Sequence, residues 1–244
     1  VIGTTDLDHD DDLDLEASIS EQEVDYLLKA FNSQFPNNEL KHSDVLSTWA
    51  GVRPVIGAEK SKDPSKERRD HAVWSDNGLI TVSGGKLTTF RLIALDALAA
   101  AKDNLPTAKE FVDDRVFSTP KMSAQSLAPE NHSWGQRLLG RYGEKALDLA
   151  NESSLEDQQN LGDTEFSLAE CKWAVQHEAV EHLDDLLLRR TRLGMCLPNG
   201  GITLYPALKD IFSTNRSWDD ERWQKEVNRY EKIWKNHYSL PSNS

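Results

Sequence analysis

The segment 78–91 constrains the fold more than any other part of the sequence. Its short apolar run, 79–82, predicts a buried strand, and Gly84 with Gly85 predicts a sharp turn that a ligand can approach closely. Helix-forming residues then continue over 87–101, with an apolar stripe of Leu92, Leu95 and Leu98. A helix N-terminus suits an anion or an electron-rich ring. The corner is therefore a candidate binding site, and a corner packed for structural reasons alone is the alternative.

A β-hairpin is expected just before this corner. Residues 73–74 read as its first strand, residues 76–78 as its turn and residues 79–83 as its second strand. Because the two ends of a hairpin lie side by side, its entry, which contains Arg69, is brought towards its exit at the glycines. His71 also stands at the entry.

Several cations could meet around this hairpin in an otherwise acidic chain. Arg53 precedes Pro54, which favours an extended backbone at Arg53 and so restricts where its side chain points. An arginine held in this way suits bidentate binding of a phosphate or carboxylate, and an ion pair with a nearby carboxylate is the alternative. A bound phosphate would explain the whole cluster, which consists of Arg53, Arg69, Lys86 and Arg91.

The composition excludes several classes of protein. The chain has 244 residues and a net charge of −13, which disfavours nucleic acid and anionic lipid as nonspecific partners. Cys171 and Cys196 are too few for a disulfide scaffold, so a reducing compartment is expected. The acidic segment 6–14 lacks the glycine and glutamate of an EF-hand and reads as a solvated loop, so no metal site is expected. No apolar run is long enough to span a bilayer, and residues 1–5 read as a strand with no signal peptide before them.

The first part of the chain mixes strands and helices, whereas the second is rich in helices. We therefore expect an α+β part at residues 1–105 and a helical part at residues 106–244. Ser20 with Glu23 forms a capping box that begins a helix ending near residue 35. Helices of the second part are expected at 134–139, 143–149, 168–176, 179–190 and 218–237, and Ser167 with Glu170 forms a second capping box.

Two features of the helical part allow more than one interpretation. The last helix, with Ser217 as its expected cap, carries an apolar stripe of Trp223, Val227, Tyr230 and Trp234. Core packing is favoured for this stripe, and a membrane-surface helix is the alternative. Arginines at the end of the helix before it complement the helix dipole, and a phosphate or partner site is the alternative. These arginines are Arg189, Arg190 and Arg192.

The chain resembles the C-terminal portion of the FAD-dependent glycerol-3-phosphate dehydrogenases of the bacterial, respiratory type. The motifs that carry the resemblance lie at residues 2–6, 49–54, 65–71, 84–91 and 183–192, in the order found in that family. The departure is that the G-x-G-x-x-G fingerprint for FAD is missing, since Gly84 and Gly85 lack its third glycine and its later acidic residue. The resemblance implies an α+β fold, with part of the FAD and substrate domain at residues 1–105 and an all-α C-terminal domain at residues 106–244.

The resemblance also implies a reaction and its residues. The family oxidises sn-glycerol 3-phosphate to dihydroxyacetone phosphate by transferring a hydride from C2 to the flavin of FAD. Arg53 and Arg69 are expected to contact the substrate, with Arg69 at the phosphate and Arg53 near the C2 oxygen as the catalytic group. His71 is a candidate base, although a histidine in a hairpin is more often structural. The residues expected along the isoalloxazine are Gly84, Gly85, Lys86, Leu87 and Thr88.

Partners and location follow from the same resemblance. Quinone is expected as the electron acceptor, at the inner face of the bacterial inner membrane, where the parent protein would be peripheral and a possible homodimer. The isolated chain is expected to be inactive without the missing N-terminal FAD-binding half. A glycerol-3-phosphate oxidase that uses oxygen and a non-catalytic helical interaction module are the alternatives.

Overall fold

The computed structural model describes residues 1–10, 12–53, 70–105 and 121–241. Its contacts divide the chain into two compact units, one of residues 3–15 and 51–115 and the other of residues 1–2, 16–50 and 116–244. The strands are β1 (His71–Asp76) and β2 (Leu79–Gly84). The helices are α1 (Glu21–Gln34), α2 (Phe90–Ala101), α3 (Ala124–Leu127), α4 (His132–Tyr142), α5 (Ala146–Asn151), α6 (Leu168–His177), α7 (Leu193–Cys196), α8 (Tyr205–Arg216) and α9 (Asp220–His237).

The hairpin expected from the sequence is confirmed. Strands β1 and β2 pair antiparallel, with Val73 opposite Val82. Asn77 and Gly78 form the turn with φ values of 48° and 84°, the conformation that two-residue hairpin turns favour. The strand expected over residues 1–5 is wrong, because no strand is assigned there. A strand needs a neighbour to satisfy its backbone, and in the described residues β1 and β2 pair only with each other.

Helix α2 packs against this hairpin, and the expected leucine stripe is confirmed only in part, because Leu95 and Leu98 are half-buried. The Leu92 side chain is largely exposed, and the neighbouring Ile93 instead reaches the glycine corner, 2.5 Å from where a Cβ on Gly85 would lie. Among the described residues of this unit, none is fully buried. A two-stranded hairpin is marginally stable without an apolar core, so the described part of this unit has little stability of its own.

The helical unit, in contrast, contains a substantial core. The larger cluster joins α6, α7, α8 and α9, and the smaller one joins α4, α5 and α6. Both predicted capping boxes are present, at α1 and at α6. Trp223, Val227 and Tyr230 are buried, which confirms core packing for the α9 stripe. The segment 16–50 groups with this helical unit, whereas the boundary expected after residue 105 stays a prediction.

Two helix limits in this unit differ from expectation. Ser217 does not cap the last helix: it is left-handed, with φ of 55°, and ends α8, which the sequence did not predict. Asp219 caps α9 instead, its carboxylate accepting from the amide of Arg222 at 2.8 Å. The helix expected from residue 179 begins only near residue 183 and is a π-helix over Asp185–Arg190. The Asp185 carboxylate accepts the amides of residues 181 and 182 at 3.1 and 2.9 Å, and so satisfies the donors at this start.

A buried ion pair joins this π-helix to α9. The Asp184 carboxylate is 2 % exposed, accepts from Arg189 at 2.5 Å and also pairs with Arg229 of α9. Burial alone would raise the pKa of Asp184, but the hydrogen bonds from the two arginines outweigh burial and hold this pKa below its usual value. The pair therefore stabilises the fold only while the carboxyl is ionised.

We expect Asp184→Asn to lower the free energy of unfolding at pH 7 by about 1.5–3 kcal/mol, the range for hydrogen bonds to charged groups. The pKa of an Asp side chain in an unfolded chain is about 3.9, and the pKa of Asp184 in the folded protein lies below that value. The contribution is therefore complete above about pH 4 and is lost as the pH falls through the folded pKa. Urea unfolding of both proteins at pH 7 and near pH 3 would measure this, and the difference between them should shrink at the lower pH.

Asp148→Asn is the matched control. Its carboxylate is about half exposed and pairs with Lys145 at 3.3 Å, one helical turn away. Exposed pairs of this kind contribute at most about 1 kcal/mol. An Asp184 variant that is no less stable than the Asp148 variant would contradict the proposed stabilisation.

Candidate functional site

The glycine corner leads directly from β2 into a helix. Gly84 and Gly85 have φ values of 75° and 88°, a conformation that glycine adopts without steric cost. A 3-10 turn over Leu87–Thr89 follows and continues into α2. Lys86 and the first residues of this turn are exposed. The strand–turn–helix corner expected from the sequence is therefore confirmed.

The beginning of this helix offers backbone donors at the surface. The Thr89 amide donates to the Lys86 carbonyl at 2.9 Å, and the Thr89 hydroxyl accepts from the Lys86 amide at 3.3 Å. The amides of Leu87 and Thr88 belong to the first turn, whose N–H groups have no acceptor within the helix. The Leu87 side chain is 89 % exposed. Donors beside an uncovered apolar side chain fit the polar edge and flat face of a flavin ring.

Gly85 is required at this corner for a second reason. A Cβ at Gly85 would lie 2.5 Å from the Ile93 Cδ1 atom and 3.2 Å from the His71 Cβ atom. The hairpin and α2 thus approach each other at a position that has no room for a side chain. The glycine pair keeps both the turn and this packing intact.

We expect Gly85→Ala to destabilise the hairpin by about 2–4 kcal/mol, of which about 1–2 kcal/mol comes from the left-handed backbone and the rest from overpacking against Ile93. Gly78→Ala is the control, because Gly78 has a similar φ of 84° and nothing within 4 Å of the added Cβ. Hydrogen exchange of the β1 and β2 amides would measure both effects. Equal acceleration in the two variants would mean that the contact with Ile93 contributes nothing.

Arg53 forms the ion pair that the sequence left open as an alternative. Its Nη1 donates to the Asp6 carboxylate at 3.2 Å, and the Arg53 side chain remains 48 % exposed. An ion pair this exposed is worth at most about 1 kcal/mol, so an incoming anion can compete for the guanidinium. Arg69 lies outside the described residues. The predicted meeting of Arg53, Arg69 and Lys86 therefore stays a prediction.

His71 links the hairpin to α2. It lies opposite Gly84 in the strand register, and its Nε2 atom is 2.7 Å from the Asp96 carboxylate of α2. This contact gives His71 a structural role beside the corner. Its role as a base stays untested.

Arg189 and Arg190, two of the three arginines near residue 190, have acceptors within the helical unit. Arg189 pairs with Asp184 and Asp185, while Arg190 donates to the Ala179 carbonyl at 3.3 Å and lies 3.8 Å from the Glu178 carboxylate. These contacts join the π-helix to its surroundings. The phosphate or partner site considered for these arginines stays untested.

Sequence reasoning missed the polar contacts inside the helical core. Glu170, expected only as a capping residue, is fully buried and accepts from Arg137 at 2.9 Å. Ser167, the cap of α6, accepts from the Trp134 indole at 2.9 Å. The available sequence signal was that the capping box of Ser167 and Glu170 lies among apolar residues. Such a capping box is expected to be buried, and its polar groups then need further hydrogen-bond partners. These residues support the fold and lie in the unit without the corner.

Three further observations concern the described residues outside the corner. A groove of about 570 Å³ lies between α1 and residues 39–42, and its lining contains none of the site residues predicted from the sequence. Within 1–10, 12–53, 70–105 and 121–241, no cluster of His, Cys, Asp or Glu side chains could hold a metal ion. In the same ranges, none of the helices combines the length and apolar character needed to cross a bilayer.

Comparison with known proteins places this geometry in a family context. Residues 114–223 match the family profile described as the C-terminal domain of alpha-glycerophosphate oxidase. A glycerol-3-phosphate dehydrogenase of Mycobacterium leprae is 32% identical over 94% of this chain and 41% of its own length. An aerobic glycerol-3-phosphate dehydrogenase of Bacillus subtilis is 27% identical over 95% of this chain and 46% of its own length.

A solved structure agrees with these sequence relatives. The Bacillus halodurans glycerol-3-phosphate dehydrogenase, complexed with FAD, matches with a TM-score of 0.62 and 25% identity, over 95% of this chain and 48% of that one. The chain therefore spans less than half the length of the relatives it matches. By sequence and by fold, the chain corresponds to the C-terminal part of the glycerol-3-phosphate dehydrogenases, one of which is complexed with FAD.

Proposed function

We propose that this chain forms the C-terminal part of an enzyme that oxidises sn-glycerol 3-phosphate to dihydroxyacetone phosphate with FAD. One observation carries the proposal: the glycine corner presents exposed backbone donors at a helix start, in a chain whose structural relative is complexed with FAD. The similarity extends over 94–95% of the chain and so includes the corner and the hairpin.

The corner residues would hold the flavin. Gly84, Gly85 and Lys86 would lie along the isoalloxazine, where the absence of Cβ atoms on the glycines permits close approach. FAD, when bound, accepts the hydride from C2 of the substrate. The amides of Leu87 and Thr88 would face the edge of the ring that becomes negative, and a helix N-terminus stabilises such charge by up to about 2 kcal/mol.

The arginines would bind and polarise the substrate. Arg69 would hold the phosphate through charge-assisted hydrogen bonds. Arg53 would donate to the C2 oxygen and stabilise the negative charge that develops there as the hydride leaves. Its partial exposure and the exposed character of its pair with Asp6 leave the guanidinium accessible for this role.

The electron acceptor separates two forms of the proposal. We propose quinone, with the parent protein peripheral at the inner face of the bacterial inner membrane and able to form a homodimer. Oxygen is the second candidate, because residues 114–223 match a domain named after an alpha-glycerophosphate oxidase. Stopped-flow reoxidation of the reduced flavin by a soluble quinone and by oxygen distinguishes them, and we expect quinone to be the faster acceptor.

The experiment that tests the proposal joins this chain to the upstream portion of the Mycobacterium leprae relative. The chain alone lacks the G-x-G-x-x-G fingerprint, so we expect it neither to bind FAD tightly nor to turn over substrate. The joined protein should bind FAD, with a change in flavin fluorescence, and oxidise glycerol 3-phosphate. A folded joined protein that binds FAD without turnover would contradict the proposal and favour the non-catalytic helical module.

A further inference from the structure

The glycine corner does not by itself fix the angle between the hairpin and α2. Gly84 and Gly85 both have positive φ, and glycine adopts positive and negative φ about equally readily. We propose that Asp96 is a positioning residue, which holds α2 to His71 and thereby sets the direction in which the backbone donors at the helix start face the flavin. The inference rests on the proposed function, because it gives Asp96 a role in holding FAD. It assigns no contact between Asp96 and the flavin or the substrate.

Ile93 and Asp96 both contact the hairpin from one face of α2. The two residues are three positions apart, and residues at that spacing are neighbours on a helix surface. Ile93 packs at Gly85, and the Asp96 carboxylate lies 2.7 Å from the His71 Nε2 atom. An apolar contact has no preferred direction, whereas a hydrogen bond fixes both a distance and an angle. The contact of Asp96 therefore restrains α2 from pivoting about the contact of Ile93.

His71 is well placed to receive this restraint, because it stands at the corner itself. It lies opposite Gly84 in the strand register, and its Cβ atom is 3.2 Å from where a Cβ on Gly85 would lie. A carboxylate accepts hydrogen bonds and does not donate them, so the His71 Nε2 atom donates to Asp96. All of these residues belong to the unit of residues 3–15 and 51–115.

The exposure of the pair indicates what its loss would change. The His71 side chain is 17% exposed and the Asp96 side chain is 49% exposed. Pairs this exposed contribute little to overall stability. Removing the pair is therefore expected to loosen the corner and redirect the helix start, while the chain stays folded.

The variants separate loss of the contact from a general change in the helix. Asp96→Ala removes the acceptor, whereas Asp96→Asn keeps an amide oxygen that can accept from His71. Alanine favours a helix more than aspartate does, so a looser corner in Asp96→Ala cannot result from a weaker α2. Asp103→Ala is the matched control, because Asp103 follows α2, is exposed and makes no side-chain contact with the described residues.

The first measurement is hydrogen exchange in the 244-residue chain, without flavin or substrate. The Lys86 and Thr89 amides report on the corner, because both donate hydrogen bonds there. Asp96→Ala should accelerate their exchange about fivefold, Asp96→Asn less than about twofold, and Asp103→Ala not at all. Unchanged exchange in Asp96→Ala, or equal acceleration in Asp103→Ala, would overturn the inference whether or not the proposed function holds.

A double variant tests whether the two side chains act through each other. His71→Phe keeps a planar ring but has no donor for Asp96. In this background Asp96→Ala should accelerate exchange by less than about twofold, because the contact is already lost. An undiminished fivefold effect would mean that Asp96 acts through another group, and would overturn the role of the pair.

The second measurement is the two-electron reduction potential of FAD in the joined protein, against a reference dye and without substrate. Asp96→Ala should make this potential more negative by about 20 mV, a fivefold fall in the equilibrium constant at about 30 mV per tenfold. The reason is that redirected backbone donors stabilise the negative charge of the reduced ring less well. Asp96→Asn should restore most of the potential.

The potential also distinguishes positioning from other roles. If His71 acted only as a base for the substrate, this potential would not change in Asp96→Ala. An unchanged potential, or an equal shift in Asp103→Ala, would overturn the positioning role. A joined protein that does not bind FAD would instead count against the proposed function, and the exchange measurement would still decide whether Asp96 restrains the corner.

Discussion

Replacing Arg53 by alanine in the joined protein is expected to lower kcat about 10²–10³-fold, the loss typical of removing one donor to a developing oxyanion. The physical reason is that the C2 oxygen gains negative charge as the hydride leaves, and Arg53 is the cation proposed to meet that charge. Its exposed pair with Asp6 does not occupy it strongly, so its full charge is available to the substrate. Steady-state rates with glycerol 3-phosphate measure the effect.

The comparison with Arg69 separates catalysis from binding. Arg69→Ala is expected mainly to raise KM, because a contact with the phosphate is made equally in the ground state and the transition state. Arg53→Lys should recover part of the activity, since it keeps the charge but loses the bidentate geometry. Lys145→Ala is the control for the loss of a positive charge, because Lys145 is largely exposed and its ion pair is with Asp148, three residues further along the chain. Near-normal kinetics in both arginine variants would refute these assignments.

Gly194→Ala is expected to lower the free energy of unfolding by about 2–4 kcal/mol through overpacking and the loss of a buried hydrogen bond. A Cβ at Gly194 would lie 2.2 Å from the Tyr230 hydroxyl oxygen. That hydroxyl is buried and donates to the Gly200 carbonyl at 2.6 Å. The added methyl group therefore forces Tyr230 away from its acceptor, at the contact between α7 and α9. Urea unfolding followed by tryptophan fluorescence measures the change.

Gly140→Ala is the matched control for this prediction. Gly140 lies within α4, and a Cβ there would meet nothing within 4 Å. Alanine should stabilise this helix by about 0.5–1 kcal/mol, because glycine loses more backbone entropy on folding. The two substitutions are chemically identical and opposite in expected sign. A stabilising Gly194→Ala would mean that Tyr230 can move at no cost.

The local devices of this fold could be predicted because their partners are close in sequence. The Asn77-Gly78 turn needs two positive φ values, and these two residue types tolerate them. The capping boxes at Ser20 and Ser167 each pair with a glutamate three residues later. The glycine corner belongs to the same class, since the turn requires only the two glycines and a following helix former. The backbone proposed to face the flavin could therefore be located from the sequence alone.

Features that join distant segments could not be predicted in this way. The sequence offered many carboxylates to Arg53, and only the structure selected Asp6. The structure also shows that Ile93, and not Leu92, packs against the corner. The close approach of α2 to Gly85 decides which of these apolar side chains is covered. Nothing in the sequence indicated that the Thr48 hydroxyl donates to the Ser239 carbonyl, just beyond the end of α9.

The sequence by itself determined the hairpin turn, the two capping boxes, the corner and the family resemblance, since each depends on residue types within a few positions or on ordered motifs. Only the tertiary structure decided the burial of Asp184 between two arginines and the hydrogen bond from Thr48 to the residues that follow α9. The physical reason is that bringing distant segments together costs loop-closure entropy, and contacts with any of several suitable residues could offset this cost. Which partner does so depends on how the whole core packs, and that is a property of the assembled helices rather than of any short stretch of the chain.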